Sequence, residues 1–232
     1  KIAVDRYSAP SACGNWPSRR GSATWSWAFT RWGMARCGWL DAFASARSSS
    51  SGRWRGRIEH VELLDPADAR RFAEGRVIAS MMPLHANPNG ANPNEQAWAL
   101  QLGAERVRHG FPFRELADAG ATLAFGSDWP VMSADPLWGI AVAVSRRDIL
   151  GRPAEGWHAE QRLKADEAVR AYTTGSAAAA GLDDRVGRLA AGQWGDVVVL
   201  QPHVDPDRPE SLWHGARVRC VVVAGELVRG PE

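Results

Sequence analysis

Several absences narrow the reading of this 232-residue chain before any motif is considered. No run of eighteen or more apolar residues occurs, and a spanning helix needs about twenty. The 45% of residues that are hydrophobic are therefore available for a core. The chain starts at Lys1, and no basic segment followed by an apolar stretch opens it, so no signal peptide is visible. A cytoplasmic protein without a membrane partner is the expectation. Cysteine is scarce. Cys13, Cys37 and Cys220 have neither metal nor disulfide spacing and read as incidental thiols of a reducing compartment. Acidic residues are scarce at the N-terminus: residues 1–57 hold two Asp/Glu against ten Lys/Arg, whereas the remainder holds twenty-four against eighteen. Histidine is missing there altogether, the first being His60.

What fills that histidine-free segment is unusual. "TWSWAFTRWGMARCGWLDAF" (Thr24 to Phe43) carries four tryptophans in twenty residues and reads as neither helix nor strand. A basic arm with interleaved aromatics is the composition of a nucleic-acid-binding element. That makes a non-enzymatic nucleic-acid-binding protein the alternative to an enzyme.

From Arg57 the pattern becomes regular. "RIEHVELL" is a strand candidate. In "DPADARRFAEG", Asp65 suits an N-cap, Pro66 the first helical position and Gly75 the C-cap. "RVIASMMP" is a strand stopped by Pro83, "HANPNGANPNEQAW" a loop, and "FRELADAG" a helix closed by Gly120. "ATLAFGSDWPV" is a third strand. "DPLWGIAVAVSRRDIL" reads as a helix with Trp138, Ala141, Val142 and Ser145 on one face. "KADEAVRAYTTGSAAAAGL" reads as another, with Ala168, Ala171 and Tyr172 in apolar spacing. Alternating strands and helices imply a parallel sheet or barrel. Near residue 190 the pattern changes: "GDVVVLQP" and "VRCVVVAGELVRG" are strands with no helix between them. No internal repeat is evident.

The chemistry lies at two strand ends, Glu59-His60 and Asp128 in "FGSDWP". In βα barrels functional groups sit at the carboxyl ends of strands. An imidazole and a carboxylate so placed are natural ligands for Zn²⁺ or a similar divalent ion. Such an ion activates water, and an aspartate touching both can act as general base. Bland readings stand beside these. A single strand-end histidine is also a common hydrogen-bonded structural residue, and Asp128 also suits a turn or a helix N-cap before Pro130. His85 also follows a strand and reads as a polar loop residue. His109, His158, His203 and His214 read as surface.

The segments "RIEHVELLDPAD", "VIASMMPLHA", "LADAGATLAFGSDWPV", "DPLWGIAVAVSRRD" and "EAVRAYTTGSAAAAGLDDRVGRLAAGQWGDVVVL", in that order, resemble the amidohydrolase superfamily. The branch they resemble is amidohydrolase-3, the YtcJ-like group that includes N-substituted formamide deformylases. The resemblance runs from about Leu40 to the C-terminus. It implies an α/β fold, the C-terminal strands of a metal-dependent (β/α)8 barrel, with terminal strands of a small β-sandwich. It implies His60 as a metal ligand on the sixth strand, Asp128 on the eighth as ligand and general base, and His85 on the seventh lining the substrate pocket with Trp129. The implied reaction is metal-dependent hydrolysis of a non-peptide, amide- or formamide-like C–N bond of a small molecule, with zinc as the cofactor. An oligomer is compatible with it. The pattern also calls for an H-x-H pair on the first strand, a bridging lysine or acid on the fourth, to which Lys1 in "KI" is a candidate, and a histidine on the fifth.

The tryptophan-rich stretch gains meaning at codon level, because Trp and Met have single codons. Shifting the frame by joining each codon's last base to the next two makes Trp27–Ala28 and Trp32–Gly33 glycine, and Phe29–Thr30 His or Tyr. The shifted frame permits "G-V-H-A-V-G-D-G-A-V-R-M-A", the fifth-strand phrase, abutting the in-frame "LDAF" at Leu40 to Phe43. Residues 3–39 are accordingly read as out of frame. Such a segment lacks agreement between propensity and pattern and is not expected to form a well-defined fold. The organisation is then 1–39 aberrant, 40–190 the C-terminal part of a barrel, and 191–232 sandwich strands. This chain is expected to be a truncated, inactive fragment of a hydrolase that binds no nucleic acid.

Overall fold

The computed structural model describes residues 26–27, 56–88, 94, 97–201 and 216–230. Short apolar runs form the strands β1 (Ser26–Trp27), β2 (Arg57–Glu59), β3 (Ile78–Met81) and β4 (Thr122–Phe125). They make one sheet in the order β1-β2-β3-β4, with every neighbouring pair parallel. The register sets Arg57 beside Ile78, Glu59 beside Ser80, and Met81 beside Phe125. The carboxyl ends of β2, β3 and β4 therefore lie side by side. Ser26–Trp27 falls in the stretch read as neither helix nor strand, and here it pairs with Arg57 and Ile58. Lys1, Cys13, Cys37, His203 and His214 lie outside the described residues, as does most of the 1–39 segment.

The connections are built as their end signals dictate. Asp65 accepts a hydrogen bond from the Ala67 N–H at 3.0 Å and Pro66 opens the 3-10 turn Pro66–Asp68. That turn leads into α1 (Ala69–Gly75). Gly75 is not the left-handed cap that the sequence suggested. It is the last helical residue, and Arg76 takes the left-handed turn at φ 51°. A Cβ on Gly75 would stand 3.3 Å from Val77 Cγ2, so glycine answers a packing need there.

After β3 come the 3-10 turn Pro83–Ala86, α2 (Ala97–Leu102), α3 (Ala104–Val107) and α4 (Phe113–Asp118). Gly120 then reverses the chain into β4 at φ 81°. Asp135 caps α5 (Pro136–Ser145), accepting from Leu137 N–H at 2.9 Å. Every residue from Gly139 to Ser145 is buried, so over that stretch α5 has no exposed face for the predicted one-sided pattern to define. A helix apolar on all sides is a buried helix. The helix predicted through Tyr172 is divided into α6 (Ala165–Arg170), the π-helical turn Ala171–Gly175 and α7 (Ser176–Ala180).

The division has a physical cause. Ser176 Oγ donates to Phe125 O at 2.7 Å, and Gly175 presses on β4 so closely that a Cβ would overlap the Leu123 carbonyl oxygen. The core gathers Phe72, Ala79, Met81, Leu84, Phe113, Leu116 and Val142 between sheet and helices. It also encloses Arg146, which is fully buried. The Arg146 Nε donates to Trp157 O at 2.9 Å, and its guanidinium lies 5.1 Å from the Phe113 ring centre and 5.5 Å from that of Trp157. Burial pulls its pKa down to about 9.

The last strands, β5 (Val197–Gln201), β6 (Arg217–Val223) and β7 (Glu226–Arg229), form a separate antiparallel sheet in that order. Ala224 and Gly225 join β6 to β7 with φ of 52° and 85°, the positive pair that a tight twisted hairpin requires. Among the described residues no helix is long and apolar enough to cross a membrane.

Candidate metal centre

The end of β2 departs sharply from extended backbone. His60 and Val61 have φ of 71° and 45°, and the His60 N–H donates to Ser80 O on β3 at 2.7 Å. A β-branched residue at positive φ is an outlier, and such strain concentrates at functional sites. The turn drives Val61 into the core and leaves His60 and Glu62 half-buried beside each other. Their Nδ1 and Oε1 atoms are 4.0 Å apart.

His85 comes to the same place from the turn after β3. Its Nδ1 is 2.9 Å from Glu62 Oε1, and its ring stacks on that of His60 with centres 5.5 Å apart and planes 25° from parallel. The His85 Nε2 is buried with no hydrogen-bond partner among the described residues. Ligand atoms of His60, Glu62 and His85 all lie within 4.8 Å of one another.

Asp128 follows β4, again at positive φ (55°). The Trp129 N–H donates to Ser127 Oγ at 3.3 Å and the Val131 N–H to Asp128 O at 2.7 Å. That turn sets Asp128 Oδ2 3.7 Å from His85 Nε2. The structure thus brings together His60, His85 and Asp128, from the ends of three neighbouring strands. Trp129 is placed beside them in sequence with its side chain mostly exposed, at 70%.

Glu62 is the residue that the sequence reading missed. Its signal was present as H-x-E directly after the strand. The surface reading of His158 is corrected: its side chain is only 12% exposed and its ring packs 4.6 Å from that of Trp157. Burial holds its pKa below the ordinary imidazole value.

Two imidazoles and the Asp128 carboxylate form a donor set suited to Zn²⁺ and similar borderline ions, with the Glu62 carboxylate beside His85. Two ligands of one tetrahedral zinc stand about 3.3 Å apart, given bonds of about 2.0–2.1 Å. The 3.7 Å gap from His85 Nε2 to Asp128 Oδ2 is close to that and too long for a hydrogen bond. The residues present therefore fit a divalent ion.

Comparisons with known proteins give the family. A model of the amidohydrolase family matches residues 17–229. Protein LONG AFTER FAR-RED 3 of Arabidopsis thaliana is 36% identical over 163 residues, covering 69% of this chain and 27% of its own. YtcJ of Bacillus subtilis (strain 168) is 27% identical over 173 residues, 74% of this chain and 31% of its own. N-substituted formamide deformylase of Arthrobacter pascens is 30% identical over 173 residues, 72% of this chain and 30% of its own. The chain thus spans less than a third of the length of each of these relatives. Among solved structures, a metal-dependent hydrolase from Pyrococcus horikoshii superposes with a TM-score of 0.52 at 28% identity, over 66% of this chain and 29% of the other. With the family match running almost from end to end and histidine and carboxylate side chains converging at parallel strand ends, the chain belongs to the amidohydrolase family, in its amidohydrolase-3 branch.

Proposed function

We propose that this site serves hydrolysis of a C–N bond in a small amide- or formamide-like molecule, within a (β/α)8 barrel to which β1–β4 contribute neighbouring strands. The sheet β5–β7 is then part of a small β-sandwich. The observation that carries the proposal is the meeting of His60, His85 and Asp128 at the carboxyl ends of adjacent parallel strands. His60 and Asp128 would hold the ion, and its chemistry with imidazole and carboxylate favours zinc. When bound, such an ion supplies Lewis acidity, polarising a carbonyl and acidifying water.

The protein's own groups do the remaining work. The Asp128 carboxylate takes a proton from the attacking water and returns it to the departing nitrogen. Its side chain is 36% exposed, so water and substrate reach it. The His85 ring and the exposed Trp129 indole wall the pocket.

Residues 28–39 supply no histidine, and for this polypeptide we propose metal binding without turnover. Ser26–Trp27 lies beside β2, the place that the displaced fifth-strand phrase would fill in the out-of-frame reading of residues 3–39. The experiment begins with the coding DNA. It is expected to show a one- or two-base insertion or deletion near each end of that segment, and a clean frame with no histidine-coding alternative sinks the frame reading. The gene read in the shifted frame, with its upstream coding sequence, is expected to yield zinc-dependent cleavage of N-formyl or N-acyl amines that D128N abolishes. No cleavage of either class overturns the C–N assignment, and turnover by the unaltered chain overturns its inactivity.

A further inference from the structure

We infer that His85 is itself a metal ligand, through Nε2, and that Glu62 is the positioning residue that presents it. This rests on the metal-site reading of His60 and Asp128. A carboxylate only accepts hydrogen bonds, so the 2.9 Å contact with Glu62 Oε1 requires the proton on His85 Nδ1. In the neutral ring that leaves the Nε2 lone pair free. Nε2 is buried without a partner among the described residues, a condition that costs stability unless something satisfies it. Among the described residues, the polar atom facing it is Asp128 Oδ2 at 3.7 Å, an acceptor at ligand-to-ligand spacing. Two acceptors turned toward one gap are reconciled by a cation between them.

Glu62 is the orienting group and not a ligand of the same ion. Its 2.9 Å approach has the length of a hydrogen bond and is made to Nδ1, the ring nitrogen other than the one that faces Asp128. The stacked His60 ring holds the His85 plane from one side. Carboxylate, imidazole and metal in series is a recurrent arrangement in which the outer carboxylate fixes both tautomer and ring direction.

The test uses the full chain, with Zn²⁺ titrated calorimetrically and histidine ring nitrogens followed by ¹⁵N NMR. The expected apo spectrum shows His85 protonated at Nδ1, with the Nε2 resonance moving on addition of Zn²⁺. H85N and H85Q are expected to weaken Zn²⁺ binding at least tenfold. E62A is expected to weaken it about 10–100-fold and to scramble the His85 tautomer, while E62Q, whose carbonyl can still accept from Nδ1–H, recovers most of both. Circular dichroism identifies any variant that fails to fold, and the wild-type tautomer and Nε2 response then decide on their own. If H60N and D128N abolish binding while H85N, H85Q and E62A leave affinity and tautomer unchanged, the inference is overturned and the site reading stands. If wild type binds no Zn²⁺, or H60N and D128N bind as it does, both fall.

Discussion

The two sheets of this molecule are made from equally apolar strands and bury them very differently. In the parallel sheet, Ala79 and Met81 of β3 are fully buried. In the antiparallel sheet, Val198 is 57% exposed, and Leu227 and Val228 are each 61% exposed. The difference teaches that apolar sequence specifies a strand, whereas burial needs a second layer. A parallel connection must cross over, and its helices become that layer. The hairpin from β6 to β7 crosses over nothing and brings no cover. Stability in the first region therefore rests on packed side chains, and in the second on the ladder and turn chemistry.

The largest test of that contrast is Phe72→Ala in the parallel layer. It is expected to cost about 3–5 kcal/mol in urea unfolding, as for other fully buried aromatics. Leu227→Ala on β7 is expected to change stability by no more than about 0.5 kcal/mol. Similar losses at the two positions would break the comparison. Next in size is a pair of glycines. Gly175→Ala forces a Cβ onto the β4 backbone and is expected to cost about 1–3 kcal/mol, with Asn worse. Gly225 has nothing within 4 Å of its Cβ position and needs only its φ of 85°, so Gly225→Asn is expected to be nearly neutral by thermal melting. Loss at both, or at neither, would show that the same constraint governs the two regions.

A smaller effect concerns charge. Arg114 donates to both oxygens of Glu167, at 2.9 and 2.8 Å, tying α4 to α6. That pairing holds the Glu167 carboxyl below its ordinary value. The contribution is thus present above the unfolded carboxylate pKa near 4.3 and lost as pH falls through the lower folded value. Glu167→Gln is expected to cost about 1–2 kcal/mol at pH 7. Melting curves should begin to converge with wild type as pH falls below about 4.3 and meet below the lowered folded value, and a gap independent of pH would contradict the ion pair. In the antiparallel sheet the exposed Arg219–Gln201 contact, 2.6 Å long, is expected to contribute least, within about 0.5 kcal/mol on Arg219→Gln.

Most of the α/β order was legible because its signals are local. Asp65 and Asp135 cap where they should, Pro66 and Pro136 follow them, and the strands end at His60 and near Asp128. Resemblance, more than spacing, singled out His60 and Asp128, and the structure places them around one histidine, His85. What was not legible depends on contacts distant in sequence. The π-helical turn answers to β4, about fifty residues earlier, and nothing in "AYTTG" announces it. Arg146 looks like a surface residue until Phe111, Phe113 and Trp157 close around it. Glu62 was hidden because its role is defined by His85, twenty-three positions away. The nucleic-acid alternative gained no supporting observation, as its basic segment lies largely outside the described residues.

The seating of Gly175 on Leu123 also bears on how the molecule moves over minutes and hours. With no side-chain atoms between them, β4 cannot part from its neighbour on that side unless the π-helical turn lifts with it. The β4 amides that bond to β3 are therefore expected to exchange hydrogen with solvent only through openings of that layer, among the slower ones of the described residues. Those of β7, an edge strand whose Leu227 and Val228 are exposed, should exchange early. The Asp128 turn follows directly from β4, so its carboxylate is expected to hang from an anchor that opens slowly.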